Sequence, residues 1–271
     1  MRKQHHKRIN PLAGIAGFIC FFLLIFSASS ATENKENPPS RTTFKVLNSF
    51  PHDPTAFTQG FVYRDGFLYE STGLYGKSSL RKTNPATGEV IAKTSLSREF
   101  FGEGLTIIGE SIYQLTWRSG QGFIYDKETL RRKGSFAYST EGWGLADDGT
   151  SLIMSDGTEK LYFLSPKSFK ATKVLSVKED GSPVKMLNEL EHAEGKIYCN
   201  IWYSDDIVVV NSESGVVEKR VSLGELRKRL SLPERAEALN GIAWKSSSDT
   251  FFITGKRWSE VFEIKLSPVS P

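Results

Sequence analysis

Five segments of the chain repeat one layout, and this repeat restricts the possible folds more than any other feature. Each segment has a polar or aromatic residue, a small residue or Glu, an apolar strand, a Gly/Asp/Ser turn and a second apolar strand. The segments are "FTQGFVYRDGFLYESTG" (57–73), "FGEGLTIIGESIYQLTW" (101–117), "EGWGLADDGTSLIMSDG" (141–157), "LNELEHAEGKIYCNIW" (187–202) and "LNGIAWKSSSDTFFITG" (239–255). A period of roughly 40 to 50 residues is typical of repeat architectures.

Third and fourth strands follow the paired strands of the first four repeats. The third strands end in "TNPATGEV", "YDKETLRR", "LSPKSFKA" and "VNSESGVV", and the Asn, Asp and Ser-Pro in these runs favour turns. The fourth strands are "VIAKTSL", "KGSFAY", "TKVLSV" and "EKRVSL". The fifth repeat stops at its third strand, "EVFEIKLSP", and the N-terminal run "FKVLNSF" (Phe44 to Phe50) can supply its fourth. Only Gly224 to Leu239 suggests a helical excursion, which Pro233 interrupts.

These strands predict an all-β fold, a five-bladed β-propeller with four antiparallel strands per blade. The N-terminal strand closes the last blade, and closure of the ring removes exposed sheet edges. A β-sandwich with similar turns is the alternative. It explains neither the register of the repeat nor the missing strand, so the propeller is favoured.

The first 31 residues have the pattern of a secretory signal. A basic start is followed by 15 apolar residues, Leu12 to Phe26, and then by small residues before Ala31. The alternative is an uncleaved type II membrane anchor, although the run is short for a span of about 20 residues. We therefore expect a signal peptide or anchor at 1–31, a flexible polar linker at 32–43 and the propeller at 44–271. The expected location is the secretory pathway: endoplasmic reticulum or Golgi lumen, vacuole or cell exterior.

Charge and cysteine content exclude several classes of protein. The leader carries four of the 35 basic residues and none of the 31 acidic ones, so the remainder has 31 of each. A neutral body gives no support for nucleic-acid binding, and membrane contact is expected only if the leader is retained. Cys199 is the one cysteine outside the leader, which excludes a disulfide scaffold.

The repeat brings five distant positions to one mouth of the predicted channel. In register they are Gln59, Glu103, Trp143, Asn188 and Asn240, and none is aliphatic. The next positions are Gly60, Gly104, Gly144, Glu189 and Gly241, where glycine permits close approach of backbone and ligand. Asn and Gln could equally line the channel to bind water or an ion. That alternative explains the lone Glu103 less well and the indole of Trp143 not at all.

A second set of residues follows the second strands. Trp117, Trp202 and the run Lys256-Arg257-Trp258 stand there, and with Trp143 they predict an apolar cup around the mouth. Burial in such a cup raises the pKa of Glu103 and prepares it for proton transfer. Lys256 is its natural cationic partner, although a solvated lysine is an equal alternative.

Other kinds of catalytic site find no support in the sequence. Outside the leader only His52 and His192 remain, no zinc-ligand spacing or Ser-His-Asp set is evident, and no phosphate-binding loop occurs. An enzyme of this sequence is expected to work by positioning and proton transfer, with no metal and no cofactor.

The runs "FTQG", "FFGEGL", "LTWRSG", "GWGL", "NELE", "NIWYSDDIV", "LNGIA" and "TGKRW" resemble the plant and bacterial glutamine cyclotransferases (glutaminyl-peptide cyclotransferases). The resemblance extends from Phe44 to Leu266, and members of this family are five-bladed propellers. It implies a monomeric, metal-independent acyltransferase of the aminoacyltransferase type. The implied reaction converts N-terminal Gln of peptides and proteins to pyroglutamate (5-oxoproline) and releases ammonia.

The resemblance also implies roles for individual residues. Glu103 matches the essential acid/base carboxylate, and Lys256 would steady the carbonyl oxygen. The implied substrate-binding residues are Phe57, Gln59, Phe101, Trp117, Trp143, Asn188 and Trp202. Asn240 is added to this set from the repeat register alone.

Two other functions remain open at this point. A non-catalytic propeller could bind peptides or a partner protein at the same mouth, and it would not need an acid at residue 103. A metal-dependent lactonase is the other, but it needs several carboxylates around its metal. The inner positions offer only Glu103 and Glu189.

Overall fold

The structure is a computed structural model and describes residues 40–268. The predicted signal sequence and residues 32–39 of the predicted linker lie outside the described residues. Among residues 40–268, no helix has the length and apolar character that crossing a membrane requires.

The strands form five four-stranded blades, one for each sequence repeat, as predicted. The fourth and fifth blades are joined at their edges into one eight-stranded sheet. Strand β1 (Ser40–Pro51) belongs to the last blade, and the others follow in chain order. Blade 1 contains β2 (Thr58–Arg64), β3 (Phe67–Thr72), β4 (Ser79–Thr83) and β5 (Val90–Ser95). Blade 2 contains β6 (Gly102–Ile108), β7 (Ser111–Thr116), β8 (Gln121–Asp126) and β9 (Arg132–Ala137). Blade 3 contains β10 (Leu145–Asp147), β11 (Leu152–Ser155), β12 (Lys160–Leu164) and β13 (Ala171–Ser176).

A two-stranded hairpin separates the third blade from the fourth. It consists of β14 (Lys178–Glu179) and β15 (Ser182–Pro183). Blade 4 contains β16 (Leu187–Ala193), β17 (Lys196–Ile201), β18 (Asp206–Asn211) and β19 (Val217–Ser222). Blade 5 contains β20 (Leu239–Lys245), β21 (Thr250–Gly255), β22 (Glu260–Pro268) and β1. Within every blade, neighbouring strands are antiparallel.

The N-terminal strand closes the ring, which confirms the prediction, but it is longer than predicted. It pairs with β22 over its length, from Thr42 opposite Pro268 to Pro51 opposite Glu260. Its first residues, Ser40 and Arg41, also pair in parallel with Lys219 and Arg220 of β19. The strand therefore begins at Ser40, within the predicted linker of 32–43, because these residues find backbone partners on the fourth blade.

The predicted helical excursion lies between blades 4 and 5. It consists of a four-residue α1 (Gly224–Arg227) and a 3-10 turn (Pro233–Arg235). Pro233 opens the 3-10 turn, where its missing N–H costs nothing because the first N–H groups of a helix have no partner within it. This segment brings Arg227 and Glu237 to the end of the propeller where the first strands begin.

The hydrophobic core is divided among the five interfaces between blades. Each buried cluster contains residues from two adjacent blades, with β20 and β2 completing the circle. Pairs that share a cluster are Val62 and Ile107, Leu115 and Leu145, Ile153 and Val208, Ile207 and Ile242, and Ala243 and Phe61. Cys199 lies in the cluster between blades 3 and 4 as a buried thiol that forms no disulfide within residues 40–268.

The inner glycines bring neighbouring blades together, which corrects the prediction that they admit ligand. A Cβ on Gly60 would lie 2.4 Å from Leu105 N, and one on Gly104 would lie 2.4 Å from Leu145 N. A Cβ on Gly144 would lie only 1.9 Å from Asn188 O. The innermost strands therefore touch backbone to backbone, which a side chain at these positions does not permit.

Glu189 stands where four of the five repeats have glycine, and it joins three blades. From β16 its carboxylate accepts hydrogen bonds from Phe61 N of blade 1 at 3.2 Å and Ile242 N of blade 5 at 2.8 Å. Burial and the nearby Glu191 raise the pKa of Glu189, while the two backbone N–H groups oppose the shift. Glu189 thus has a structural position and does not reach the cavity described next.

Candidate active site

A cavity of about 600 Å³ opens at the end of the propeller where the first strands begin. Nine predicted residues line it: Phe57, Gln59, Phe101, Glu103, Trp117, Trp143, Asn188, Trp202 and Lys256. Six further lining residues were not predicted: Tyr203, Ser204, Asp205, Arg227, Glu237 and Ala238. The volume is within the range of about 300–1,000 Å³ that is typical of small-ligand sites.

Irregular strand pairing surrounds four of the inner polar residues, three of which line the cavity. In four blades the register of the first two strands shifts at the same place in the repeat. The shifts lie between Thr58 and Gly60, Gly102 and Leu105, Leu187 and Leu190, and Leu239 and Ile242. These intervals contain Gln59, Glu103, Asn188 and Asn240, and a bulge commonly re-aims the side chain it contains. The two glycines that flank Glu103 therefore lie at the register shift of β6.

One backbone hydrogen bond recurs in four blades. It links the residue that follows the second strand to the residue two positions before the inner polar residue. Trp117 N donates to Phe101 O at 3.0 Å, and Trp202 N donates to Met186 O at 2.9 Å. Gly73 N donates to Phe57 O at 2.8 Å, and Lys256 N donates to Ala238 O at 2.9 Å. Each donor directly follows a second strand, and each acceptor lies two residues before an inner polar position. The repeat therefore places the aromatic residues and Lys256 beside the inner ring.

Glu103 is the carboxylate at the floor of the cavity and is only 4 % exposed. Burial raises its pKa well above the ordinary value, and the nearby Glu141 charge acts in the same direction. The Lys256 ammonium and the Gln59 amide oppose this rise in pKa because they favour the charged form. A carboxyl group in this environment can exchange a proton near neutral pH.

Lys256 enters the cavity from the end of β21 and is 5 % exposed. Burial lowers its pKa, while the charges of Glu103 and Glu237 oppose the change. Its Nζ lies 5.0 Å from the centroid of the Phe57 ring, within cation–π range. Within residues 40–268 it forms no direct ion pair, so its N–H groups are free to meet a substrate oxygen.

Two side-chain amides line the cavity, and a third lies beneath them. Asn188 is 3 % exposed, and its Oδ1 has no hydrogen-bond partner among residues 40–268. Asn240 was predicted to bind substrate, but it is fully buried and does not line the cavity. Its Nδ2 donates to Thr58 O at 3.0 Å and lies 3.5 Å from Gln59 Oε1. Asn240 therefore supports the strand that carries Gln59 instead of facing the cavity.

Aromatic rings form two walls. On one side Phe101 packs against Phe57, with centroids 6.1 Å apart, and against Trp117 at 5.7 Å. On the other side Trp143 packs edge-on against Trp202 at 5.2 Å. The two walls enclose the floor that carries Glu103.

The positions of two further aromatic residues differ from the prediction of an aromatic cup. Tyr203, which was not predicted, stacks on Trp202 at 4.1 Å and is 79 % exposed at the mouth. Trp258, which was predicted to belong to the cup, is fully buried. It lies beneath Gly255, and its indole N–H donates to Glu237 O at 3.1 Å.

Glu141 is a further residue that the sequence reasoning missed. Its Oε2 accepts hydrogen bonds from Trp117 Nε1 at 2.8 Å and from Trp143 Nε1 at 3.0 Å. The repeat contained a signal for it, since Glu141 occupies the register of Phe57 and Phe101. Arg227 and Glu237 carried no such signal because they belong to the irregular segment between blades 4 and 5.

No metal-binding cluster is evident in the part of the chain that the structure describes. Among residues 40–268, His, Cys, Asp and Glu side chains form no group of three that could hold a metal ion. The polar side chains that line the cavity include the Glu103 carboxylate, the Lys256 ammonium and the amides of Gln59 and Asn188, and Ser204, Asp205, Arg227 and Glu237 line it as well. This arrangement can bind a peptide amide, stabilise a developing negative charge and move a proton.

Comparison with known proteins decides the family. The family model for glutamine cyclotransferase matches residues 19–266. The chain belongs to the glutamine cyclotransferase family. It is 38% identical over 266 residues to glutaminyl-peptide cyclotransferase of Arabidopsis thaliana, an alignment that covers 96% of this chain and 83% of that protein. The crystal structure of Myxococcus xanthus glutaminyl cyclase matches with a TM-score of 0.80 and 35% identity, covering 86% of this chain and all of that one. The five-bladed fold is therefore that of a glutamine cyclotransferase.

Proposed function

We propose that this protein converts N-terminal glutaminyl residues of peptides and proteins to pyroglutamate and releases ammonia. The observation that carries the proposal is the buried Glu103 carboxyl group, whose pKa is raised, in one cavity with the Lys256 ammonium and between aromatic walls. The family and the names of the relatives agree with this reaction.

The first step forms the ring. The substrate α-amine attacks the carbon of its own γ-carboxamide, and the Glu103 carboxylate takes a proton from the attacking nitrogen. An α-amino group has a pKa of about 8, so a base of moderate strength is sufficient. Because nucleophile and electrophile belong to one residue, holding that residue folded on itself lowers much of the barrier.

The second step expels ammonia. The tetrahedral intermediate breaks its bond to the carboxamide nitrogen, and Glu103 returns the proton to that nitrogen as it leaves. The products are neutral ammonia and the five-membered lactam, and Glu103 is again a carboxylate. One carboxyl group of raised pKa serves both as base and as acid.

The other lining residues bind the substrate and its transition state. The Lys256 ammonium stabilises the negative charge that develops on the carboxamide oxygen, a role typical of fixed cationic groups. The unpartnered Oδ1 of Asn188 can accept a substrate N–H, and Gln59 offers a second amide. The aromatic walls exclude water, which would otherwise compete with the amine for the carboxamide carbon.

The proposed reaction is an acyl transfer of the aminoacyltransferase type that needs no metal. Glu103 transfers the proton, and Lys256 stabilises the negative charge on the carboxamide oxygen. Activity is therefore expected to survive prolonged treatment with EDTA or 1,10-phenanthroline. A loss that added Zn²⁺ or Ca²⁺ restores would contradict this part of the proposal.

The experiment that tests the function compares two dipeptides that differ in one group. Purified protein is incubated with a Gln-initiated dipeptide and with its Nα-acetyl derivative, and ammonia and the lactam are measured. We expect ammonia from the free dipeptide and none from the acetylated one, because only the former has a nucleophilic amine. Ammonia from both would indicate an amidase. Silence with every Gln-initiated peptide, together with retained peptide binding, would favour a non-catalytic propeller.

We also propose passage through the secretory pathway, on the basis of the leader pattern at residues 1–31. N-terminal sequencing of the protein recovered from the cell lumen or medium tests whether cleavage follows Ala31. A monomer that binds no nucleic acid remains part of the proposal, and sedimentation with and without DNA tests both points.

A further inference from the structure

One carboxylate holds two indoles that belong to neighbouring blades. Trp117 follows the second strand of blade 2, and Trp143 precedes the first strand of blade 3. The Nε1 atoms of both donate to the same oxygen, Oε2 of Glu141, at 2.8 and 3.0 Å. The other oxygen of Glu141 accepts a hydrogen bond from Arg118 Nε at 2.9 Å. All three hydrogen-bond donors therefore converge on one residue beside the cavity.

The backbone positions of the two tryptophans are set by other contacts. Trp117 N donates to Phe101 O, and Trp143 N donates to Ser155 O, both at 3.0 Å. These backbone bonds do not themselves set the side-chain torsions of the two indoles. Glu141 is the polar group that fixes the direction of each ring. A shared carboxylate also couples the two rings, so that neither can turn without losing a charge-assisted hydrogen bond.

Neighbouring groups pack against the faces of the two indole rings. Glu141 is therefore needed only to set the angle of each ring. The Arg118 guanidinium carbon lies 3.8 Å from the centroid of the Trp117 ring. The back of Trp143 lies against Gly157, where a Cβ would approach the ring to 2.7 Å. Packing thus supports the rings from behind, and Glu141 determines their angle toward the substrate.

We propose that Glu141 is a positioning residue for cyclisation, which holds Trp117 and Trp143 at the angle that keeps the glutaminyl residue folded on itself. This inference rests on the proposed function. It assigns Glu141 no contact with the reacting atoms, and its positioning effect passes through the two indoles. The charge of Glu141 also raises the pKa of Glu103, an influence that Glu141→Ala and Glu141→Gln both remove, so the difference between these two variants reports the positioning effect. An ordinary exposed ion pair with Arg118 is the competing explanation, and such pairs contribute little.

Two variants distinguish a loss of indole positioning from a loss of folding. Glu141→Ala removes the acceptor for both indoles. Glu141→Gln keeps an amide oxygen that can face both indole N–H groups and directs its NH₂ toward the exposed Arg118. The control is Glu128→Ala, which removes a surface carboxylate of blade 2 that pairs with Lys82 of blade 1 at 3.4 Å. Melting temperatures establish that each variant is folded.

Indole NMR provides a measurement that does not depend on activity. The chain has five tryptophans, so ¹⁵N-tryptophan labelling yields at most five indole N–H signals. Trp117→Phe and Trp143→Phe assign the two of interest, and Trp258, which donates to Glu237 O, is an internal reference. We expect both assigned signals to move upfield in Glu141→Ala and the Trp258 signal to stay in place.

The expected kinetic result is a fall in kcat/KM of about 100-fold in Glu141→Ala, the size of effect that a small misplacement of substrate can cause. Glu141→Gln is expected to recover activity to within about tenfold of wild type, since the geometry is largely restored. Glu128→Ala should match wild type. An active wild type with unchanged kcat/KM in Glu141→Ala would overturn the inference alone, as would unmoved indole signals. A wild type that is silent with Gln-initiated peptides would overturn the proposed function, and the inference with it.

Discussion

Glu103 and Lys256 lie in the same cavity, on blades 2 and 5, and shift each other's pKa without forming a direct ion pair. Each is at least 95 % removed from solvent by burial, and burial moves both pKa values toward neutrality. Their mutual attraction opposes those shifts. Because both residues line the cavity, a substrate bound there can contact both groups.

Lys256→Met is expected to change the pH dependence as well as the rate. Removing the ammonium removes an influence that lowers the pKa of Glu103, so the acid limb of the kcat/KM profile should move to higher pH. The maximal rate should fall about 100-fold because the developing oxyanion loses its cationic partner. The pH profile with a Gln-initiated dipeptide measures both effects. An unmoved acid limb would show that Lys256 does not act on the catalytic carboxyl group.

Asn188→Leu is expected to lower catalytic activity without lowering the stability of the fold. Its Oδ1 is buried without a partner, which costs about 1–3 kcal/mol in the free protein, so an apolar side chain should leave the melting temperature unchanged or raise it. Its kcat/KM should fall about tenfold through loss of one substrate hydrogen bond.

Asn240→Leu is the matched control for this pair of effects. Within residues 40–268 the Oδ1 of Asn240 also lacks a partner, but its Nδ2 donates to Thr58 O. Asn240→Leu would leave that buried carbonyl without this donor, so stability should fall by about 1 kcal/mol. Equal destabilisation by Asn188→Leu and Asn240→Leu would contradict the role given to Asn188. Thermal unfolding and steady-state kinetics decide the comparison.

Gly144→Ala tests the close contact of the innermost strands. The new Cβ would stand 1.9 Å from Asn188 O, and both groups belong to backbone that cannot yield easily. We expect a loss of about 3 kcal/mol or more in the free energy of unfolding. Gly134→Ala is the control, since its Cβ would have no neighbour closer than 3.8 Å. Similar denaturation midpoints for the two variants would refute this account of the inner glycines.

Stability is expected to decline as the pH rises through neutrality. Burial raises the pKa of Glu103 and Glu189 well above ordinary values and that of Glu191 to about 8. The pKa of His52 is also raised, since burial opposes the charged ring but the adjacent carboxylate of Glu70 outweighs it. Each of these groups contributes stability that is complete below its unfolded pKa and is lost as the pH rises through its folded pKa.

The melting temperature should therefore be highest near about pH 4.5–5, close to the unfolded pKa of a glutamate, and fall toward about pH 8.5. His192 and Lys256 oppose this trend because burial lowers their pKa values, but they are two groups against four. Below the maximum, Glu70 has a lowered pKa, so its contribution is lost as the pH falls through that value. Calorimetry across this range tests the sign. A melting temperature that rises steadily from pH 6 to pH 8.5 would contradict it.

The period of the repeat was enough to predict the fold and most of the site. A propeller places equivalent positions of every blade at the same mouth, so Gln59, Glu103 and Asn188 could be placed together without a structure. The closing strand was predictable for the same reason, because the fifth repeat lacked a fourth strand. Its start at Ser40 was not predictable, since it depends on pairing with a strand of blade 4.

Residues outside the register, and the direction of individual side chains, could not be predicted. Arg227 reaches the rim from a helix that no repeat contains, and it pairs there with Asp205 at 2.6 Å. Asn240 holds the right position in the register but turns into the protein, and Trp258 packs beneath Gly255. The inner glycines indicated a close contact with either a ligand or the backbone. Only the structure shows that the contact is with the backbone of the neighbouring strand.

The most direct test of the central claim is the rate of ammonia release by Glu103→Gln on a Gln-initiated dipeptide. Glu99→Gln is the matched control, because Glu99 lies in the same heptapeptide, "EFFGEGL", and is exposed. The glutamine variant keeps the size of residue 103 but can neither take nor return a proton, so kcat/KM should fall at least about 100-fold while Glu99→Gln retains wild-type activity. Wild-type activity in Glu103→Gln would contradict the account.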